Sequence, residues 1–443
     1  MKKSETILNR SLSRRQFVKN SAYTAGGGLL LSTLPIGSSA FAAGNDTLNV
    51  ALVGCGGRGT GAANQALVAD DGVKIVAMAD AFRDRIDNCY SNLQNRWGDS
   101  GRLDVPEERK FVGFDAYKHA IAEADVVILT TPPGFAPKHF EAAIEAGKHV
   151  FLEKPVASDA PGIRRVLETG RRAKEKNLSV VVGLQRHYQD RYLEVVKRIR
   201  NNEMGQLISG QVYWNDGGVW VRERQPEQNE MEYQMRNWYY FTWLSGDHIV
   251  EQHIHNIDVA NWFIGSHPVS AQGMGGREVR TGKDHGQIFD HHFVEFTYPD
   301  GQVIASQCRH QPNTMARVDE FFQFTGGTVQ GGTGLMKNWA GGTIYDHDST
   351  NDPNPYQVEH DVLFAAIRNG NPVNETETGA QATLSAIMGR MATYSGQVIT
   401  WEDALNGDVQ LITDNLDWDV NPPVMPDENG NYPVPIPGVT NPF

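Results

Sequence analysis

At 443 residues, with 53 Asp and Glu against 40 Lys and Arg, the chain carries a formal net charge of −13. Its 40% apolar and 21% charged residues supply core for two or three domains and exclude a disordered or fibrous chain. The acidic balance, with no local basic patch, excludes nucleic acid as a partner.

Residues 1–42 read as a leader. Ser13, Arg14, Arg15, Gln16, Phe17, Val18 and Lys19 form a twin-arginine core, followed by a Gly-rich apolar run over 25–36 and the small-residue stretch Ala40-Phe41-Ala42. The pattern predicts a twin-arginine signal peptide cleaved after Ala42, and a periplasmic or otherwise exported mature protein. The apolar run is too short to cross a bilayer, so no stable membrane insertion is expected. Cys55, Cys89 and Cys308 are too few, and odd in number, for a disulfide framework.

A strand is predicted over 48–53, ending in Gly54-Cys55-Gly56-Gly57-Arg58-Gly59, and an Ala-rich helix over 60–69. This is G-x-G-x-x-G between a strand and a helix. Gly54 permits the tight turn, Gly56 the approach of a pyrophosphate, and Gly59 close packing of helix on strand. The helix N-terminus then faces the phosphate charge, with Gly57 and Arg58 beside it. A second strand over 74–79 ends at Asp80, about twenty residues past Gly59, where a carboxylate bonds the ribose hydroxyls of NAD. Arg83 and Arg85 leave NADP as the second option.

A third strand over 125–130 leads to Thr131-Pro132-Pro133 and a helix over 137–147. A fourth, over 149–152, ends in Glu153-Lys154-Pro155. Strands alternating with helices predict a doubly wound parallel α/β sheet, with ligands beyond the carboxyl ends of the strands. Thr131, Pro132, Glu153 and Lys154 are therefore candidate cofactor contacts.

These residues, with the run 142–150 and, further on, His255-Asn256-Ile257-Asp258, resemble the Gfo/Idh/MocA family, the glucose-fructose oxidoreductase and inositol dehydrogenase group. The stretches 360–372 and 392–396 resemble its closing helices. The resemblance implies a Rossmann domain followed by an α/β domain on a large open mixed sheet, through which a homo-oligomer is expected. It also implies a nicotinamide against Lys154 with the substrate under the second domain. Where the family usually has an aspartate four residues before its catalytic histidine, this chain has Glu251 before His255. That leaves the role of the carboxylate less defined.

Oxidising a secondary alcohol requires a group to take the hydroxyl proton. Histidine suits this, and His255 is expected to act as base with Glu251 orienting it. Lys154 would stabilise the developing alkoxide. Gln185, Arg186 and His187 follow an apolar strand over 179–184 and are candidate substrate contacts, the alternative for the last two being a braced loop. Residues 213–243 are rich in aromatics, including Trp214, Trp220 and Trp238. Flat rings beside polar groups suit a sugar; core or oligomer interface is the other reading. His248, Glu251, His253, His255, His291 and His292 include metal-ligand types. His253 and His255 would diverge on strand or helix alike, so no metal is expected.

Helices are predicted over 352–370 and 378–396 with a packing role only. The Pro-rich tail from Asp417 is expected to be extended, on the surface or on a neighbouring subunit. The domain boundaries read as leader 1–42, Rossmann domain 43–175, substrate and oligomerisation domain 176–400, and extension 401–443. A periplasm supplies no free dinucleotide, so an exported enzyme is expected to carry NAD tightly bound. The function expected is oxidation of a secondary hydroxyl of a small carbohydrate, a sugar or glycoside. The alternatives are an NAD-dependent glycosidase working through a keto intermediate and a non-catalytic sugar-binding protein.

Overall fold

The apolar run Leu48–Val53 forms strand β1, and only Asn49 in it is not fully buried. A strand covered on both faces suits the middle of a parallel sheet. Around it stand β2 (Val73–Asp80), β3 (Lys110–Val112), β4 (Val126–Leu129), β5 (His149–Leu152) and β6 (Val180–Val182). Their order is β3-β2-β1-β4-β5-β6, every neighbouring pair parallel. The computed structural model describes residues 47–443, and the twin-arginine leader expected over 1–42 lies outside them.

The strand order reverses between β1 and β4, which opens a crevice at their carboxyl ends. The glycine turn occupies it. Gly54 has φ +96°, and a Cβ there would fall 2.6 Å from the carbonyl carbon of Thr130, whose Oγ1 donates to the Gly54 carbonyl at 2.7 Å. At Gly59 a Cβ would meet the Gly54 oxygen at 2.0 Å, whereas at Gly56 or Gly57 it would meet nothing within 4 Å. Two glycines close the turn; the other two keep open space in front of the helix Gly57–Ala69.

The second sheet comprises β7 (Leu207–Asp216), β8 (Ser270–Gly276), β9 (His291–Thr297), β10 (Val303–His310), β11 (Arg317–Phe324), β12 (Gly327–Gln330), β13 (Leu335–Asn338), β14 (Thr343–Tyr345) and β15 (Ile399–Thr400). Its order is β14-β13-β12-β11-β7-β10-β9-β8-β15. It is mixed because β7 and β10 run parallel while the other pairs are antiparallel. Alternate residues are buried along β9 and β10, so one face carries the core and the other is half-exposed. This is the expected α/β architecture, a Rossmann sheet followed by a domain on a large open mixed sheet.

The helix Thr376–Ser395 is buried around nearly its whole circumference. It touches the helix Ala160–Glu175 of the first sheet on one side and β8 and β9 on the other, as a helix between layers must. The helix Pro355–Asn369 packs on Gly57–Ala69, and its Val358, Leu363, Phe364 and Ile367 join the core of the first sheet. Gly370 and Gly396 end these helices in the left-handed conformation. β6 lies beyond the boundary expected at 175, and the amide of Val180 donates to the Val373 carbonyl at 2.8 Å.

The tail is extended, as its prolines imply, and lies on its own chain. Leu411, Ile412, Leu416, Trp418, Val424 and Tyr432 pack into a cluster with Phe82, Phe114, Phe135 and Trp238. The three cysteines are buried and unpaired. Among the described residues no helix is long and apolar enough to cross a membrane.

The turn makes a specific test. Gly59→Ala is expected to cost about 2–4 kcal/mol of unfolding free energy because backbone must move, while Gly57→Ala stays within about 0.5 kcal/mol. Urea denaturation of the two variants measures the difference.

Candidate functional site

A cavity of about 620 Å³ lies between the carboxyl ends of the first sheet and the end of β7 with the segment that joins it to β8 in the second. Its volume falls within the ordinary range for ligand sites. Gly54, Gly56, Gly57, Arg58 and Gly59 line one end, with Asp80 at the tip of β2. Thr131, Pro132, Glu153 and Lys154 continue the wall from β4 and β5. Gln185, Trp214, Trp220, Trp238, Glu251 and His255 complete it.

The residues present fit a dinucleotide. The open space that Gly56 and Gly57 preserve fronts the first turn of a helix whose N-terminal amides lack a side-chain cap. Asp80 accepts from the Cys55 amide at 2.7 Å and from the Phe82 amide at 3.0 Å. Burial pushes its carboxyl above the usual range, offset in part by those amides. Arg85 lines the same end, whereas Arg83 is engaged by Asp87 at 2.9 Å and by Glu107 on the surface. Arg58 is not free for a phosphate. Its guanidinium pairs with Glu153 and with the buried Glu359, and donates to Gln65 at 2.7 Å.

At the other end, the Lys154 ammonium donates to the Glu251 carbonyl at 2.6 Å and to its Oε1 at 3.0 Å. An ammonium has three donors, so one remains for a ligand. Glu251 therefore orients Lys154 and does not hydrogen-bond His255; one helix ends at Glu251 and the next begins at Ile254, so the two residues sit on different helices and the cation holds the carboxylate. His255 Nδ1 is enclosed without a partner. The ring stacks with Trp214 at 6.0 Å. Burial, then the Lys154 ammonium and the Arg186 guanidinium, hold His255 well below the usual imidazole range, so the ring is neutral at physiological pH.

Two expected substrate contacts lie elsewhere. Residues 185–188 form a 3-10 turn, in which successive side chains diverge by about 120°. Gln185 consequently faces the cavity while Arg186 and His187 point into the protein. Arg186 pairs with Glu320 beneath the wall, where Tyr192 and Asn256 also bond Glu320 at 2.9 and 2.6 Å. His187 bonds Asp258 at 2.8 Å and stacks on Trp262 at 4.0 Å. The aromatic segment divides likewise: Trp214, Trp220 and Trp238 reach the cavity, whereas Tyr233, Tyr240, Phe241 and Trp243 are core.

Several lining residues escaped the sequence reading. Tyr356, from a helix expected only to pack, lines the cavity, and Arg58 lies 5.0 Å over its ring. Gln252 and Arg222 also line it, with Arg222 5.3 Å over Trp220. Phe82 and Phe114 wall the Asp80 end, and Trp418 of the tail covers both, at 5.2 and 4.7 Å. For Tyr356, Phe82, Phe114 and Trp418 the only signal available was aromatic type in segments with no motif.

Residues 48–184 match the family model described as an oxidoreductase family with an NAD-binding Rossmann fold, and residues 192–326 match the GFO/IDH/MocA C-terminal domain. An inositol 2-dehydrogenase of Acidiphilium cryptum is 28% identical over 238 residues, which is 53% of this chain and 59% of that one. A glycosyl hydrolase family 109 protein of Shewanella pealeana is 25% identical over 256 residues, 53% of this chain and 52% of that one. The matches thus span little more than half the length of these curated relatives. In structure, scyllo-inositol dehydrogenase from Lactobacillus casei with bound NAD(H) and scyllo-inositol superposes with a TM-score of 0.61 over 80% of this chain and 99% of that chain, at 19% identity. That last likeness is one of fold.

His139, which lines the cavity, gives a pH prediction. It stacks on Tyr117 at 4.1 Å, and burial lowers its pKa to about 3. Below pH 6.5 the unfolded chain takes up a proton at this ring that the folded one refuses, so stability falls as the pH falls from 6.5 toward 3. Each pH unit costs about 1.4 kcal/mol for one such proton. His139→Phe is expected to lose about 2 kcal/mol less than wild type between pH 6.5 and 5, as read from urea unfolding at the two pH values.

Proposed function

The chain belongs to the Gfo/Idh/MocA oxidoreductase family, and we propose that it is an NAD-dependent oxidoreductase acting on a secondary hydroxyl of a sugar or glycoside. One observation carries the reading: the Lys154 ammonium and the neutral His255 line the same cavity as the open face of the glycine turn. The Gly56 and Gly57 amides with Asp80 would hold the dinucleotide, and a carboxylate at that position favours NAD over NADP. When bound, the dinucleotide supplies the hydride acceptor.

The chain's own groups do the rest. His255 accepts the hydroxyl proton at Nε2, since Nδ1 is enclosed. The third N–H of Lys154 bonds the same oxygen as it gains negative charge, and Glu251 keeps that ammonium in place. Trp214, Trp220 and Trp238 offer flat apolar faces to the C–H side of a sugar ring. Trp418 over Phe82 and Phe114 supports tight retention of the dinucleotide, as the expected export of the protein would require. The Shewanella pealeana relative supports a second reading, glycoside cleavage through a keto intermediate, in which the cofactor ends unchanged. A keto-sugar product favours oxidation; free reducing sugar without net oxidation favours cleavage.

Denaturing the purified protein should release NAD, and a saccharide substrate should change its absorbance beforehand. Absence of any dinucleotide overturns the reading. Lys154→Met is expected to lower kcat/KM by about 10²–10³ and His255→Asn by about 10²–10⁴, both with dinucleotide content retained; undiminished turnover in the double variant would contradict the roles given. Trp418→Ala should lose its dinucleotide faster on gel filtration than wild type.

A further inference from the structure

Behind the wall that carries Glu251 and His255 lies a cluster for which the proposed chemistry has no use. Asp247, His248 and His292 each bring one ligand atom within 4.8 Å of the others, and all three are buried. His248 Nε2 lies 3.8 Å from Asp247 Oδ1, and His292 Nε2 lies 3.3 Å from the same oxygen. Neither imidazole nitrogen makes a hydrogen bond there, and His248 Nδ1 has no partner either. An imidazole buried with both nitrogens unmatched forfeits its hydration for nothing in return.

The surrounding bonds fix what is left over. Thr393 Oγ1 lies 3.1 Å from the Gly389 carbonyl and 3.0 Å from the Arg390 carbonyl of its own helix, the usual destination of a helical threonine proton. It then accepts from His292 Nδ1, 2.9 Å away. In the neutral ring that tautomer leaves His292 Nε2 as a lone pair facing a carboxylate oxygen. Asp247 Oδ2 is filled by the Tyr394 hydroxyl and by the Phe289 amide at 3.0 Å, while Oδ1 accepts from the His248 amide and is the oxygen that faces both rings. Lone pairs converging on a carboxylate repel unless a cation stands among them. Ligand atoms around a tetrahedral zinc stand about 3.3 Å apart, close to the spacings seen, and Thr393 and Tyr394 orient two of the ligands as outer partners do.

We propose that Asp247, His248 and His292 bind a structural divalent cation of the zinc type, with the fourth position left to water. The proposal reverses the sequence expectation of no metal, and for a physical reason. His253 and His255 do diverge, the first bonding Ser306 at 2.8 Å and the second facing the cavity. The ligating set instead joins the short helix His248–Glu251 to β9, a juxtaposition that only the fold creates. An ion here would pin the segment 247–255 that forms the cavity wall. The inference does not depend on the oxidoreductase reading.

The test uses the full chain purified without a histidine tag, incubated with Zn²⁺, desalted and assayed by metal emission spectroscopy. The expected result is about one zinc per chain, visible d–d absorption on Co²⁺ substitution, and a melting temperature that falls when dipicolinate is added. His248→Phe, which keeps the stacking with His310, and Asp247→Asn should each lower retained zinc by more than about tenfold. Zinc retained by both variants assigns binding to other residues and overturns the site. If a variant does not fold, the wild type decides: no retained zinc, no cobalt bands and no melting shift with Zn²⁺ or chelator overturn the proposal.

Discussion

The contact between Lys154 and Glu251 is the constraint on which the site depends. Lys154 lies two residues past the end of β5 in the first sheet, and Glu251 ends a short helix between β7 and β8 of the second. Their side chains are 14% and 16% exposed, low enough that salt screens them only weakly. The ammonium spends two donors on one residue and so fixes the gap between the two halves of the molecule. Arg58 does the same further along, joining the glycine turn to Glu153 and to Glu359 of the helix Pro355–Asn369. The cavity is the space these two cations hold open.

Beneath the wall lies a second layer of buried polar groups bonded to one another. Arg186, Tyr192 and Asn256 converge on Glu320; Tyr188 bonds Glu375, which also accepts the Val182 amide at 2.9 Å. Burial raises the Glu320 carboxyl while Arg186 and Tyr192 draw it back. Such networks are rigid when complete, because any displacement strands a buried charge. Arg186 and His187 thereby act on the cavity through the shape of its wall, His187 by holding Asp258 of the helix that carries His255.

What could be read in the sequence was whatever a local period or a fixed spacing expresses. The alternation of apolar runs with Ala-rich segments revealed the parallel sheet, and Gly54, Gly59 and Asp80 occupy positions that a strand-turn-helix imposes. Lys154 was found because strand ends face the crevice. The same rule failed at Arg186 and His187, since a 3-10 turn rotates each side chain away from its predecessor and nothing in Gln185-Arg186-His187 encodes the angle. Tyr356 was hidden for another reason: it reaches the cavity through contacts between elements far apart in the chain. Glu251 was expected to orient His255, but the helix breaks between the two and Lys154, from the end of a strand of the first sheet, takes the carboxylate.

The packing of the two late helices has a consequence for how the chain acquires its shape. Val358, Leu363, Phe364 and Ile367 cover a face of the first sheet, and the Val180 amide bonds a carbonyl at residue 373. A ribosome that has released only the dinucleotide-binding half has therefore made an unfinished object, greasy on one side and lacking a neighbour for its outermost strand. The two halves mature as one cooperative unit, and cutting the polypeptide between them would yield a sticky fragment instead of a smaller working module.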